Sequence, residues 1–123
     1  MTEGDPSQTH GDVIYKICPR VAWLEAITRG ELAPSADDVR DGFVHLSAPL
    51  QVRGTLARHY TAQRELMLLE VRVELLPAGA LHWELSREGK YFPHLYGALP
   101  VSAVSHATLL SARGGDFELP EGL

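Results

Sequence analysis

The stretch Asp41-Gly42-Phe43-Val44-His45-Leu46-Ser47 constrains this chain more than any other. It reads as a short strand, Phe43 to Ser47, entered through a glycine turn and leading directly into a helix that begins Ala48-Pro49. Strand side chains alternate between faces, so Phe43, His45 and Ser47 point one way and Val44 and Leu46 the other. A core has to take Val44 and Leu46. The opposite face then offers an imidazole and a hydroxyl side by side, and Ser47 stands where a helix N-cap belongs. A helix N-terminus presents unpaired N–H groups to any nearby anion. Imidazole, hydroxyl and helix terminus converge within a few residues.

The flanking chain follows the same logic. Residues 1–12 are polar, with Gly4, Pro6 and Gly11, and read as an N-terminal tail. Val13 to Cys18 reads as a strand with Val13, Tyr15 and Ile17 on one face. Lys16 lies on the other face, where a charge either marks an edge strand or reaches into a cleft; the edge is the simpler reading. Pro19 opens a helix that Gly30 stops, with Val21, Ala22, Leu24, Ala26 and Ile27 as its apolar stripe and Trp23 at the boundary. Glu31 to Asp41 reads as a loop with room for a helical turn but too short a pattern to define one.

Ala48 to Tyr60 reads as a second helix with Val52, Leu56 and Tyr60 four apart and His59 near that face. Glu65 to Leu76 is the longest strand signal, with Met67, Leu69, Val71 and Val73 on one side. Leu81 to Leu85 alternates so that His82 and Glu84 share the polar face, and Tyr91 to Tyr96 is again extended. Val101 to Leu110 is a final strand, and a Gly- and Pro-marked tail occupies residues 113–123. Two main helices followed by mostly antiparallel strands make an α+β pattern, one domain over residues 13–112.

Composition enters where it excludes. A net charge of −5 argues against broad nucleic-acid binding, which needs a basic surface, though not against a small basic pocket. A single cysteine, Cys18, excludes an internal disulfide framework and a Cys-rich metal site. The apolar runs are too short to span a membrane, and the N-terminus lacks a secretory pattern. A cytoplasmic protein is expected.

Phe92-Pro93-His94-Leu95-Tyr96-Gly97 is the second dense stretch. If it is extended, Phe92, His94 and Tyr96 share one face and offer a flat-walled slot for a planar ring; the alternative is an aromatic core patch. Three chemistries suit the two stretches together. A metal hydrolase would use His45, His59 and His94, but the spacing fits no local metal motif, so no metal is expected. A Ser47 nucleophile lacks the Gly-x-Ser-x-Gly elbow. A nucleotide pocket uses every feature at once: His45 on ribose hydroxyls, Ser47 and the helix terminus on phosphate, and Phe92, His94 and Tyr96 stacking a base or nicotinamide.

Ile14-Tyr15-Lys16-Ile17, Asp41 to Ser47, Arg58-His59-Tyr60, Trp83-Glu84 and Phe92 to Gly97 together resemble the bacterial domain-of-unknown-function family 952. The resemblance runs from about Val13 to Leu110. It implies a fold close to the ADP-ribosyltransferase superfamily, nearest the RNA 2′-phosphotransferase branch: a split, strongly bent β-sheet with NAD in the cleft. His45 and Ser47 match that superfamily's ribose-contacting histidine and the hydroxyl residue two positions on, and His94, with Tyr96 beside it, matches the later nicotinamide contact. The resemblance implies His45 and His94 as catalytic residues with Ser47 and Tyr96 as ligand contacts, and the residue reading adds Phe92, Lys16 and Glu84 to those contacts. NAD is the implied substrate or ligand, and a small RNA phosphate is a further target. No glutamate follows His94 until Glu118, so Glu84 is the acid left for the usual catalytic glutamate. The competing reading is a non-catalytic nucleotide- or partner-binding module.

Overall fold

The computed structural model describes residues 12–59, 65–86, 89–113, 116–120 and 123. The expected N-terminal tail lies outside them except for Asp12, as does Tyr60, and of His59 only the backbone is described.

The chain is mixed α+β with antiparallel pairing throughout. Strand β1 (Val13–Pro19) pairs with β4 (Leu66–Arg72), which pairs with β8 (Val104–Arg113), and β9 (Asp116–Glu118) extends that sheet. A second sheet has the order β3 (Val44–His45), β6 (Tyr91–Leu95), β5 (Leu81–Leu85). A short ladder joins β2 (Glu31–Leu32) to β7 (Leu99–Pro100). The two larger sheets meet where Tyr15 and Ser47 exchange backbone hydrogen bonds at 2.8 Å. That single bridge places β3 beside the outer edge of β1.

The alternation of β1 and β4 divides the core. Ile14, Cys18, Met67, Leu69 and Val71 face one apolar cluster with Val44, Leu46, Leu95 and Leu99. Tyr15, Ile17, Leu66 and Leu68 face the other, which receives Val52 and Leu56 of α3 (Val52–His59). Val44 and Leu46 are buried as their alternation requires.

Four expectations are corrected. Helix α1 (Arg20–Arg29) buries Ala26 and packs Ala22 and Trp23 on the core, leaving Val21, Leu24 and Ile27 at least half exposed. The small alanines let the helix backbone approach β4, and Trp23 fills the space beside them. The loop after β2 contains helix α2 (Ala36–Asp41), built on a capping box. The second expected helix starts with a 3₁₀ turn, Pro49–Gln51, before α3. The segment read as a C-terminal tail carries β9, and Phe117, Leu119 and Leu123 pack on the second cluster.

Candidate functional site

The site is assembled from α2 outward. The Ser35 hydroxyl accepts the Asp38 N–H at 3.1 Å, and Asp38 Oδ2 accepts the Ser35 N–H at 3.0 Å. This reciprocal cap turns the Asp38 side chain inward, where it is buried. Gly42 then ends the helix at a φ of 85°, a left-handed conformation that costs glycine little, and reverses the chain into β3.

That reversal brings His45 back onto α2. Its backbone N–H and its Nδ1 both donate to Asp38 Oδ1, at 3.0 and 2.6 Å, while its Nε2 donates to Asp41 Oδ2 at 2.9 Å. Burial pushes Asp38 toward the neutral acid. The hydrogen bond from His45, the Lys16 charge and the Ser35 and His45 backbone N–H groups more than reverse this, holding its carboxyl well below the usual range. Asp41, bonded first by Arg40 and then by His45, is held down at about 2. An imidazole that donates to two ionised carboxylates does so as imidazolium. His45 is therefore a cationic clamp between α2 and β3.

Lys16 does not serve as an edge charge. It is 4% exposed, and its ammonium sits 3.2 Å from Asp38 Oδ2 and 3.0 Å from the His45 carbonyl. β1 does lie at the end of its hydrogen-bonded sheet, but α2 and β3 cover that end, so the lysine is enclosed with its counter-ion.

His94 lies directly opposite His45 in the β3–β6 register, with ring centroids 5.8 Å apart. Its Nδ1 meets Glu84 Oε1 at 2.7 Å, and the Tyr96 hydroxyl donates to the same oxygen at 2.7 Å. Those two donors, Tyr96 first, lower the Glu84 pKa. Burial lowers the His94 pKa, and Glu84 only partly opposes it. Phe43 stacks on the His94 ring at a centroid distance of 3.9 Å and 20° between planes.

His45, His94, Ser47, Phe92 and Lys16 all line one cleft of about 360 Å³. Tyr96 and Glu84 stand behind His94 rather than on the cleft wall. The flat-walled slot is also different from the expected one, because Phe43 already covers a face of His94. The remaining walls hold Arg40 and Arg58, two arginines available for a small basic pocket, and groups that sequence reasoning missed: Asp37, Asp38 and Asp41 from α2, with Thr55 and Ser86. The signal for α2 was present, since Ser35-x-x-Asp38 is a capping-box spacing.

Ser47 is not a helix cap. Its hydroxyl pairs with Thr55 Oγ1 at 2.9 Å, while Gln51 Oε1 takes the Ala48 N–H at 2.9 Å. The proline-led 3₁₀ turn carries the chain past Ser47 before α3 begins, so the hydroxyl meets the helix side rather than its end. Ser47→Ala is therefore expected to cost about 0.5–1.5 kcal/mol, the value of one neutral hydrogen bond, read from urea midpoints.

No helix among the described residues is long and apolar enough to cross a membrane. The described residues also contain no group of three or more His, Cys, Asp or Glu placed to hold a metal ion.

Comparison with known proteins places this architecture. No curated protein matches the chain. The crystal structure of protein CC0527 from Caulobacter crescentus is 42% identical, covering 86% of this chain and 93% of that one, with a TM-score of 0.81. The crystal structure of a double mutant of CC0527 superposes with the same TM-score of 0.81 at 41% identity, over 86% of this chain and 93% of that one. The solution structure of CC0527 gives 0.75 at 42% identity, over 85% of this chain and 90% of that one. The family described as "Protein of unknown function (DUF952)" matches residues 17–107, which include α2, β3 and β6 and so every wall of the cleft named above except Tyr15 and Lys16. The chain belongs to the DUF952 family.

Proposed function

We propose that the cleft binds the ribosyl end of NAD or a closely related nucleotide. The observation that carries this reading is the cross-strand pair His45 and His94, each held through Nδ1 by a carboxylate, on one wall of a single cleft. A ribose diol needs fixed hydrogen-bonding groups at close spacing; His94 offers Nε2, and His45 holds the Asp41 carboxylate on the wall as an acceptor. The resemblance to the ADP-ribosyltransferase superfamily supports the same ligand and a split-sheet fold of that type. The bridge at Tyr15 and Ser47 between two separate sheets is compatible with it.

The cleft also carries acceptors for ribose hydroxyls. Three aspartates line it together with Lys16, Arg40, Arg58 and His45, and Lys16 and Arg40 are paired with aspartates. Carboxylates fixed in this way suit the hydroxyls of a ribose as hydrogen-bond partners. Chemistry at the nicotinamide ribose also develops positive charge on the sugar, which nearby carboxylates stabilise.

A melting-temperature panel tests the reading with NAD, nicotinamide riboside, ADP-ribose, ATP and a 2′-phosphorylated oligoribonucleotide. NAD and nicotinamide riboside are expected to raise the midpoint, by mass action worth about 2.7 kcal/mol at a hundredfold excess over Kd. A shift from the RNA alone would move the assignment to 2′-phosphate recognition. No shift with any of the five would remove the nucleotide reading.

A further inference from the structure

We propose that His94, oriented by Glu84 and Tyr96, is a general base that deprotonates a hydroxyl, from water or an alcohol, attacking the ribosyl carbon of the bound ligand. The proposal rests on the nucleotide reading above and adds the second substrate and the residue that activates it.

The tautomer follows from the hydrogen bonds. Glu84 is an ionised acceptor held by two donors, so the 2.7 Å contact puts the His94 proton on Nδ1. The lone pair is then on Nε2. Among the described residues no group bonds that nitrogen, and the ring lines the cleft. Stacking by Phe43 fixes the ring plane, so His94 meets a ligand by its edge rather than by its face. Burial keeps the imidazole neutral near neutral pH, as a base requires. His45, 5.8 Å away between centroids, is the opposite case, with both nitrogens donating to carboxylates. Of the two, His94 alone turns a ring nitrogen with no bond among the described residues into the cleft.

The step balances without an oxidant or metal. The bond from ribose C1′ to the pyridinium nitrogen breaks, and its electron pair stays with nitrogen, which leaves as neutral nicotinamide. The hydroxyl oxygen forms the new bond to C1′ and gives its proton to His94 Nε2, from which it passes to solvent. Asp41, on the cleft wall beside His45, supplies negative charge while the sugar is cationic.

Two measurements test this separately from the binding reading. First, ¹⁵N imidazole shifts of the ligand-free protein at neutral pH should show His94 protonated on Nδ1 alone; a proton on Nε2 overturns the proposal whatever the ligand. Second, nicotinamide release from NAD is followed in wild type, His94→Gln and Glu84→Gln, with NAD affinity measured by calorimetry. In His94→Gln nicotinamide release at saturating NAD is expected to fall about 10²- to 10⁴-fold, the usual contribution of a general base, beyond any loss of NAD affinity. Glu84 is a positioning residue that raises the proton affinity of His94, so Glu84→Gln should move the acid limb of the pH–rate profile to lower pH. Wild type that binds NAD without releasing nicotinamide overturns the base and leaves the binding site standing. Release that is unchanged in His94→Gln overturns it as well. Wild type that fails to bind NAD overturns both readings together.

Discussion

Replacing Asp38 by alanine is expected to cost about 3–5 kcal/mol of folding stability, the range for breaking a buried ion pair by removing one partner. Asp38 is 2% exposed and Lys16 4% exposed, so the variant strands an ammonium in the protein interior. The His45 carbonyl, at 3.0 Å, is the remaining acceptor the structure gives that ammonium. The variant also loses half of the capping box at Ser35 and the acceptor for His45 Nδ1 and its backbone N–H. Against a total of about 5–15 kcal/mol for a domain of this kind, such a loss is large enough to leave the protein partly unfolded at 37 °C. Lys16→Met should cost less, because Asp38 keeps His45 as a charged partner.

The same carboxylate sets the response to acid. The folded-state pKa of Asp38 is depressed, so the unfolded chain binds its proton more readily. Its stabilisation is then fully present above the unfolded carboxylate value of about 4 and is lost as pH falls through the lower folded value. Urea midpoints of wild type should therefore drop below about pH 4, and Asp38→Asn should flatten that dependence. An Asp38→Ala protein with a wild-type midpoint would show that the Lys16–Asp38 pair is not enclosed.

The strands were legible because alternation is enforced by burial. Val44 and Leu46 against His45, or Ile14 and Cys18 against Tyr15 and Ile17, can be divided only one way between core faces. That His45 and His94 face one cleft was expected from both standing opposite apolar neighbours in their strands; the antiparallel register that sets them directly across from each other was not legible. Helix α1 was not legible in its orientation. Its bulkier aliphatics, Val21, Leu24 and Ile27, suggested the inward face, whereas close approach to β4 selected the side bearing Ala22 and Ala26. Apolar periodicity finds a helix but does not choose between a large-residue face and a small-residue face.

The acidic half of the cleft was hidden for a different reason. Asp37-Asp38 in a Pro- and Ser-containing segment reads as a solvated loop, and Lys16 as an exposed edge charge. Each becomes a buried group only because the other neutralises it, and a pairing across 22 positions leaves no local trace. The acids at the site therefore come from α2, ahead of His45, rather than from Glu84, which is committed to orienting His94. Strand β9 was missed because Gly114-Gly115 reads as the start of a tail, although β8 and β9 pair from Arg113 opposite Asp116 and a Gly-Gly dipeptide between strands is equally a hairpin signal.

The role of His45 separates a ligand site from a structural clamp. His45→Ala removes one cationic donor from Asp38 and one from Asp41, but Lys16 and the Ser35 and His45 backbone N–H groups remain on Asp38. The fold should survive at a cost of about 1.5–3 kcal/mol, the value of a hydrogen bond to a charged group and less than the cost of Asp38→Ala. On the proposed reading NAD affinity should fall roughly ten- to a hundredfold, because Asp41, the acceptor that lines the cleft for ribose hydroxyls, loses the ring that holds it in place. Calorimetric titration of NAD into wild type and into natively folded His45→Ala tests the central claim most directly. The expected result is saturable one-site binding in wild type that is weakened by that factor in the variant; equal affinity in both proteins, or no binding to wild type at millimolar NAD, would contradict it.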